Sequence, residues 1–292
     1  MLNVPLKTRT AMKTIGIIGF GTMGSGIAQA CARANFNVFA FDIDKKFLHH
    51  SFDTLKNELQ LLAAKGKLTQ YNVDDLLSRI HTKNMLSHLA ECSLVIEAVR
   101  EDIAVKAEIF RELDLITPEQ TILASNTSSI AITSIASHTK HPQRVVGLHF
   151  FNPAHIMKLV EVIKGFHTSD DTMNRMVAFS KSLGKIPVVT KDTPGFIVNR
   201  IARPFYGEAL RLLGEGVATA EEIDRIVKSE GGFKMGPFEL MDLIGIDVNL
   251  AVTESIYQQY FDEPRYRPHL IQKKMVESGQ LGRKTKKGFY TY

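Results

Sequence analysis

The sequence has little of what would direct it to a metal site, a membrane or an oxidising compartment. Its 292 residues include only two cysteines, Cys31 and Cys92, whose spacing does not suit a metal ion. We therefore expect two reduced, buried thiols and no metal site. No apolar run approaches the ~18 residues that a membrane span requires, so we expect a soluble, cytoplasmic protein without a membrane partner.

Charge of one sign is not concentrated anywhere either. The formal net charge is +5, and the lysines and arginines are scattered rather than arranged in a stripe, so we expect no nucleic-acid partner. Internal repeats and low-complexity tracts are missing as well. The basic N-terminus lacks the apolar core and cleavage site of a signal peptide, and we expect residues 1–11 to be a disordered extension or the product of an upstream start.

What the first two-thirds of the chain does contain is a regular alternation of short apolar runs with amphipathic segments. Helical patterns separate the runs, for example around 23–34, 45–64, 102–115 and 171–183. Continuous Val/Ile/Leu runs that alternate with helices indicate a parallel sheet covered on both faces. The strand-like runs are TIGIIG (14–19), NVFAFD (37–42), CSLVIEAV (92–99), TILASN (121–126), RVVGLHFF (144–151), KLVEVI (158–163) and IPVVT (186–190).

The pattern changes at KDTPGF (191–196), after which no convincing strand follows. Helical periodicity takes over, and Thr219 with Glu222 has the spacing of a capping box. We therefore predict an α/β protein with an N-terminal, doubly wound, Rossmann-type sheet over residues 12–190 and an all-helical C-terminal domain over residues 191–292. The predicted helices of that second domain are 196–214, 220–229, 236–245, 247–260 and 267–278.

The first strand runs directly into a glycine motif. In IGIIGFGTMGSGIAQA, Gly19, Gly21 and Gly24 form G-x-G-x-x-G between a strand and a helix. The first glycine permits a tight turn, the second lets the backbone approach a pyrophosphate, and the third allows close helix–strand packing. The N–H groups at the helix start can then receive phosphates. The motif alone would also suit a simple small-residue contact, but its position here predicts dinucleotide binding.

Asp42 ends the second strand, 21 residues after Gly21, and indicates which dinucleotide binds. A carboxylate at this position accepts hydrogen bonds from ribose hydroxyls and repels a 2′-phosphate, so we predict NAD rather than NADP. Lys45 and Lys46 could offset that repulsion, although we interpret both as a solvated first helical turn.

Later strands also end in polar residues, between Glu97 and Glu101 and in SNTSS (125–129). Ligands bind outside the carboxyl ends of the strands in open α/β sheets, so we expect these residues in the binding crevice. A helix cap would account for part of SNTSS without any function, but five polar residues in a row exceed what one cap requires.

The segment GLHFFNPAHIMKLVEV (147–162) places two histidines and a glutamate in apolar surroundings. If its halves pair as an antiparallel hairpin centred on residue 155, His149 and Glu161 lie directly opposite, with Cβ atoms ~5 Å apart. A carboxylate beside an imidazole favours the imidazolium and fixes which ring nitrogen carries the proton. The pair could therefore act as a general base toward an alcohol, and a merely structural pair is the alternative.

These residues and motifs resemble a known family, the short-chain L-3-hydroxyacyl-CoA dehydrogenases, which include 3-hydroxybutyryl-CoA dehydrogenases. The resemblance covers residues 13–292 and rests on GFGTMGSGIA, EAVREDIAVK, ASNTSS, GLHFFNP, MKLVEV, DTPGFIVNR, MGPFELMDLIG and LGRKTKKGFY, in that order. It implies the reversible, NAD-dependent oxidation of an (S)-3-hydroxyacyl-CoA to the 3-oxoacyl-CoA, as in fatty acid β-oxidation. It also implies a homodimer formed through the helical, substrate-binding domain.

The resemblance assigns the catalytic steps to four residues. His149 is the base and Glu161 its partner, while Ser128 and Asn199 hold the substrate oxygen and acyl group. The family most often has proline where this chain has His155. We expect His155 to be partly exposed and not catalytic.

The resemblance also implies contacts to the cofactor and to coenzyme A. For the CoA portion, Lys65 of KGK is a candidate, although a solvated helix end would explain this lysine nearly as well. The cofactor-side residues that it implies, in addition to the glycines, are Asp42, Glu101, Lys106, Asn152 and Lys284.

Three other functions are compatible with parts of the sequence. The segments ARPFYGEALRLL and RYRP look like the branch that acts on 3-hydroxyadipyl-CoA in phenylacetate degradation. A 6-phosphogluconate-type hydroxyacid dehydrogenase also joins a Rossmann domain to helices, but it would use a catalytic lysine rather than a His–Glu pair. A non-enzymatic NAD-binding protein would have no need of the His149, Glu161, Ser128 and Asn199 set.

Overall fold

The computed structural model describes residues 12–292, so the expectation for residues 1–11 lies outside the described range. The described chain divides into two compact units, one ending at Asp192 and the other running from Thr193 to Tyr292. The boundary predicted from the sequence lies between residues 190 and 191, two residues earlier.

The first unit is built on one eight-stranded sheet, whose strand order is β3-β2-β1-β4-β5-β6-β7-β8. Neighbouring strands are parallel except for β6 and β7, which form an antiparallel hairpin, and β8 is parallel to β7. The strands are β1 (Thr14–Ile18), β2 (Asn37–Phe41), β3 (Ile80–Lys83), β4 (Leu94–Glu97), β5 (Ile122–Ser125), β6 (Val145–Phe150), β7 (Leu159–Lys164) and β8 (Ile186–Lys191).

Helices complete the first unit and confirm the predicted doubly wound fold. All four residues of β4 and of β5 are buried, which explains why their sequences are continuously apolar up to a polar last residue. Asp44, Asp102 and Ser169 cap three of the helices through their side-chain oxygens. The helices are α1 (Thr22–Arg33), α2 (Lys45–Ala64), α3 (Gln70–Ser78), α4 (Ile103–Ile116), α5 (Ile132–Ala136) and α6 (Asp170–Ser182), with 3₁₀ turns at Leu86–Glu91 and Pro142–Arg144.

The second unit is helical, as predicted, and the part of the chain that the structure describes after residue 192 contains no strand beyond isolated bridges near Gly282 and Lys287. The capping box at Thr219 and Glu222 is present. No helix within residues 12–292 is both long and apolar enough to cross a bilayer. The helices are α7 (Val198–Gly214), α8 (Ala220–Ser229), α9 (Pro237–Ile244), α10 (Ile246–Gln259) and α11 (Leu270–Glu277), with 3₁₀ turns at Pro264–Tyr266 and Arg283–Thr285.

Candidate active site

The glycine loop between β1 and α1 has the geometry that its motif predicts. Gly19 adopts φ +84°, a left-handed conformation, where a Cβ would lie 2.7 Å from the Ala98 carbonyl oxygen. A Cβ at Gly24 would lie only 1.8 Å from the carbonyl oxygen of Gly19, so helix and turn meet backbone to backbone. At Gly21 the nearest atom to a Cβ is a Phe47 ring carbon at 3.9 Å. The space above Gly21 is therefore open for a ligand to approach the backbone.

A cavity of about 900 Å³ opens beside this loop, and Gly19, Gly21 and Asp42 contribute to its wall. One oxygen of the Asp42 carboxylate accepts the Phe20 N–H at 2.9 Å, and the other accepts the Asp44 N–H at 3.1 Å. The backbone thus fixes the carboxylate at the cavity wall. An open glycine backbone and a held carboxylate on one cavity fit the pyrophosphate and adenosine ribose of NAD.

Glu97 and Lys106 form a buried ion pair behind the ends of β4 and β5. The Lys106 ammonium lies 2.6 Å from Glu97 and 3.4 Å from Glu101, and the Lys106 side chain is 1% exposed. Glu97 also accepts hydrogen bonds from the Ser125 hydroxyl and the Val99 N–H, both at 2.7 Å. The Lys106 ammonium therefore lies between two carboxylates, and its predicted contact with the cofactor stays a prediction.

Glu101 holds the loop that follows β5. Its Oε1 atom accepts the hydroxyl of Thr127, the N–H of Ser128 at 3.1 Å, and both the N–H and the hydroxyl of Ser129 at 3.1 and 2.9 Å. Burial alone would raise the pKa of Glu101, but Lys106 and these hydrogen bonds outweigh it and leave the pKa below its ordinary value. Glu101 therefore fixes the loop that carries Ser128 through these hydrogen bonds.

His149 and Glu161 are brought together by the β6–β7 hairpin, as the sequence predicts. The strand register places the two residues directly opposite each other. The Nδ1 atom of His149 lies 2.8 Å from Glu161 Oε2, and the side chains are 8% and 1% exposed. The Phe151 ring packs against the imidazole with centroids 4.4 Å apart. Because Nδ1 is bonded to the carboxylate, a proton acquired by the ring would go to Nε2 and be stabilised by Glu161.

His155 lies in the loop of this hairpin, and the charged residues near it differ from those near His149. Its side chain is half-buried, as expected. Burial lowers the pKa of His155, the nearby cations Arg33 and Lys185 lower it further, and Glu58 acts in the opposite direction. The two histidines of the segment are thus chemically distinct, and only His149 is paired with Glu161.

Asn152 and Lys65 are both exposed. Asn152 begins the hairpin loop and precedes Pro153 through a cis peptide bond. Lys65 is the C-terminal cap residue of α2, and its side chain has no resolved polar partner within residues 12–292. Neither placement decides whether these residues bind a ligand, and both remain predictions.

Asn199 and Lys284 lie in the second unit. Asn199 is half-buried in the first turn of α7. Lys284 forms an ion pair with Asp247 at the start of α10. The C-terminal segment beyond Lys284 is pinned to the buried Asp242, whose carboxylate accepts the Phe289 and Tyr290 N–H groups at 3.0 Å. The position of Lys284 within the second unit is therefore well defined.

Several contacts that support the site were not predicted from the sequence, although Glu97 and Asn126 lie in segments that were expected at the crevice. Glu97 had a signal, because a glutamate inside the apolar run CSLVIEAV has to be paired when it is buried. Asn126 accepts the Phe150 N–H at 2.8 Å, and Asp192 accepts the Ile132 and Thr133 N–H groups at 2.9 and 2.7 Å. These two contacts join segments that are distant in sequence, so no local sequence pattern predicts them.

The glycine loop, Asp42 and the cavity define the class of protein: it is an NAD-binding protein with a Rossmann-type domain. Comparison with known families agrees and is more specific. The model for the 3-hydroxyacyl-CoA dehydrogenase NAD binding domain matches residues 14–193, and the model for the 3-hydroxyacyl-CoA dehydrogenase C-terminal domain matches residues 195–292. The chain belongs to the 3-hydroxyacyl-CoA dehydrogenase family.

Individual relatives match almost the whole chain. It is 44% identical to 3-hydroxyadipyl-CoA dehydrogenase of Escherichia coli (strain K12), over 96% of this chain and 59% of that protein, so it spans little more than half of that relative. It is 43% identical to a probable 3-hydroxybutyryl-CoA dehydrogenase of Bacillus subtilis (strain 168), over 96% of this chain and 98% of that protein. The crystal structure of (S)-3-hydroxybutyryl-CoA dehydrogenase from Ralstonia eutropha superposes with a TM-score of 0.92 at 44% identity, over 97% of this chain and 99% of that one.

Proposed function

We propose that the protein catalyses the reversible oxidation of (S)-3-hydroxyacyl-CoA thioesters, 3-hydroxybutyryl-CoA among them, to 3-oxoacyl-CoA. The observation that carries this proposal is the buried His149–Glu161 pair at the carboxyl end of β6, with its 2.8 Å hydrogen bond. The B. subtilis relative named above supports the substrate.

In this proposal the residues of the chain handle the proton and the substrate. His149 removes the C3 hydroxyl proton at Nε2, and Glu161 stabilises the imidazolium that forms because it is bonded to Nδ1. When bound, NAD supplies the acceptor for the C3 hydride. The resemblance assigns Ser128 and Asn199 to the substrate oxygen and acyl group, and Glu101 fixes the loop that carries Ser128. Burial of the His–Glu pair excludes water that would weaken its charge interaction.

The decisive experiment replaces the base. His149→Gln should lower turnover of 3-oxobutyryl-CoA with NADH by at least about 10²–10⁴-fold, the usual contribution of positioned proton transfer. NADH affinity should stay near that of the wild type, since Asp42 and the glycine loop are untouched. The matched control is His155→Gln in the same hairpin, which should keep wild-type turnover. Wild-type turnover in His149→Gln would refute the assignment.

The preferred acyl group has two candidates. Besides 3-hydroxybutyryl-CoA, the 3-hydroxyadipyl-CoA dehydrogenase of E. coli is 44% identical to this chain and favours a dicarboxylic substrate. A series of short, medium and dicarboxylic 3-oxoacyl-CoA thioesters, compared by kcat/KM with NADH, would rank them. Absence of turnover with every thioester would revive an NAD-binding role without catalysis.

The assembly and compartment also belong to the proposal. The second unit exposes large apolar side chains, among them Ile201 (69%), Val217 (65%) and Phe261 (95%), which supports a homodimer formed through this unit. Light scattering that gives a monomer at micromolar concentration would contradict it. Burial raises the pKa of both Cys31 and Cys92 to about 12, so the thiols are unreactive, and they are unpaired, as suits a reducing cytoplasm.

A further inference from the structure

The hairpin loop between β6 and β7, residues 151–158, is closed by a buried lysine from the next connection in the chain. Lys185 immediately precedes β8, and only 8% of it is exposed. Its ammonium donates to the Ala154 carbonyl at 2.6 Å and to the Met157 carbonyl at 2.7 Å. Ala154 lies near the middle of the loop and Met157 near its end, so one side chain links two parts of the loop through hydrogen bonds.

The ammonium of Lys185 is solvated by carbonyl groups of the loop. Within residues 12–292 it has no carboxylate partner, and burial lowers the pKa of its ammonium, with Arg33 lowering it further and the Cys31 thiol acting weakly in the other direction. A buried cation is costly unless polar groups replace the water that it loses. The Ala154 and Met157 carbonyls are those groups, so the loop conformation and the burial of Lys185 depend on each other.

The other side of the loop rests on α1, the helix of the glycine motif. Ala154 is 1% exposed, and a Cβ added at Gly26 would lie 3.3 Å from its Cβ. The Ile156 and Met157 N–H groups both donate to the Pro153 carbonyl at 2.9 Å, which folds the loop into a compact turn. The loop is therefore held between α1 and Lys185.

This attachment lies next to the catalytic pair. His149 and Glu161 form the second-last pair of the β6–β7 ladder, and only the Phe150–Val160 pair separates them from the loop. We propose that Lys185 is a positioning residue, which holds the loop end of this hairpin so that His149 Nδ1 and Glu161 stay in hydrogen-bond contact. The inference rests on the proposed function, because it gives Lys185 its role through the base.

The test compares Lys185→Met, which keeps the stem and removes the ammonium, with Lys185→Arg, which keeps a buried cation. Lys185→Met should lower kcat for 3-oxobutyryl-CoA reduction by about 10–100-fold while KM and the NADH Kd change by less than about threefold. Lys185→Arg should restore part of kcat. The control is Lys181→Met, an exposed lysine at the end of α6, which should behave as wild type.

The outcomes separate this inference from the proposed function. If His149→Gln is inactive but Lys185→Met keeps wild-type kcat, the role of Lys185 is refuted and the function stands. If His149→Gln is active, the proposed function fails first. A lower melting temperature with unchanged kcat would mean that Lys185 is structural only. If Lys185→Met does not fold, Gly26→Ala tests the loop from the other side, because its Cβ presses on Ala154 from α1. Wild-type kcat in Gly26→Ala would then refute the inference.

Discussion

Gly24→Ala is the sharpest perturbation of the cofactor loop that the structure offers. The new Cβ would fall 1.8 Å from the Gly19 carbonyl oxygen, whereas unstrained contacts need about 3.5 Å. Helix and turn would have to separate by roughly 1.5 Å, and backbone cannot rotate away as a side chain can. Alanine favours the helix by about 1 kcal/mol, but overpacking of this kind costs about 1–3 kcal/mol or more. We expect a net loss that approaches about 2 kcal/mol and a melting temperature lower by roughly 4–8 °C.

Gly21→Ala is the matched control for that clash. Its Cβ would meet nothing nearer than Phe47 at 3.9 Å, and its φ of −72° suits alanine, so stability should not fall. The methyl group would instead occupy the space through which a pyrophosphate approaches the backbone. Calorimetry and NADH fluorescence titration should therefore show weakened binding in both variants but a lower melting temperature only in Gly24→Ala. Unchanged stability and affinity in Gly24→Ala would refute the argument for backbone contact.

Three further predictions follow from the site. Glu161→Gln should lower kcat by about 10²–10⁴-fold with little effect on NADH affinity, measured by stopped-flow absorbance, and a change below about threefold would contradict the pairing with His149. Asp42→Asn should raise the ratio of kcat/KM for NADPH over NADH by about tenfold or more, because the repulsion of a 2′-phosphate is removed, and a constant ratio would exclude this role. Burial, then Arg33 and Lys185, lower the pKa of folded His155, so the unfolded chain binds its proton more readily below about pH 6.5. The wild type should therefore lose more stability than His155→Gln between pH 7 and pH 5 in urea titrations, and an equal loss would disprove it.

The sequence predicts those elements well whose partners are close in the chain or whose faces are both buried. β1, the glycine loop and α1 follow one another, and the hairpin pairs residues only 12 apart, so the alternation of side chains places His149 opposite Glu161. β3 and α3 were missed. Only one residue of β3, Ile80, is buried, because a strand at the edge of the sheet has one neighbour and needs no apolar run.

The supports of the site could not be predicted in the same way. Asp192 bonds to Ile132 and Thr133 across about 60 positions, and Lys185 bonds to Ala154 across 31. Such contacts exist only after the sheet has formed, since the strand order brings the segments together. Sequence patterns reveal only local periodicity. From the sequence, a single lysine or aspartate at the end of a helix or strand is therefore interpreted as an ordinary solvated residue.

The position of Glu101 affects where the protein can bind a phosphate group. Successive N–H groups that converge on one point form an anion-binding concavity, and within residues 12–292 the loop after β5 and the start of α1 are candidates for one. In the loop after β5, the concavity is already filled by the chain's own carboxylate, since Glu101 accepts the Ser128 and Ser129 N–H groups. At the start of α1, the described residues supply neither an acidic first turn nor a side-chain cap. The N–H groups of Ser128 and Ser129 are thus neutralised from within. In the glycine loop Asp42 takes the Phe20 N–H, and the first turn of α1 beyond it is left to an anion from outside, the role proposed for the pyrophosphate at Gly21.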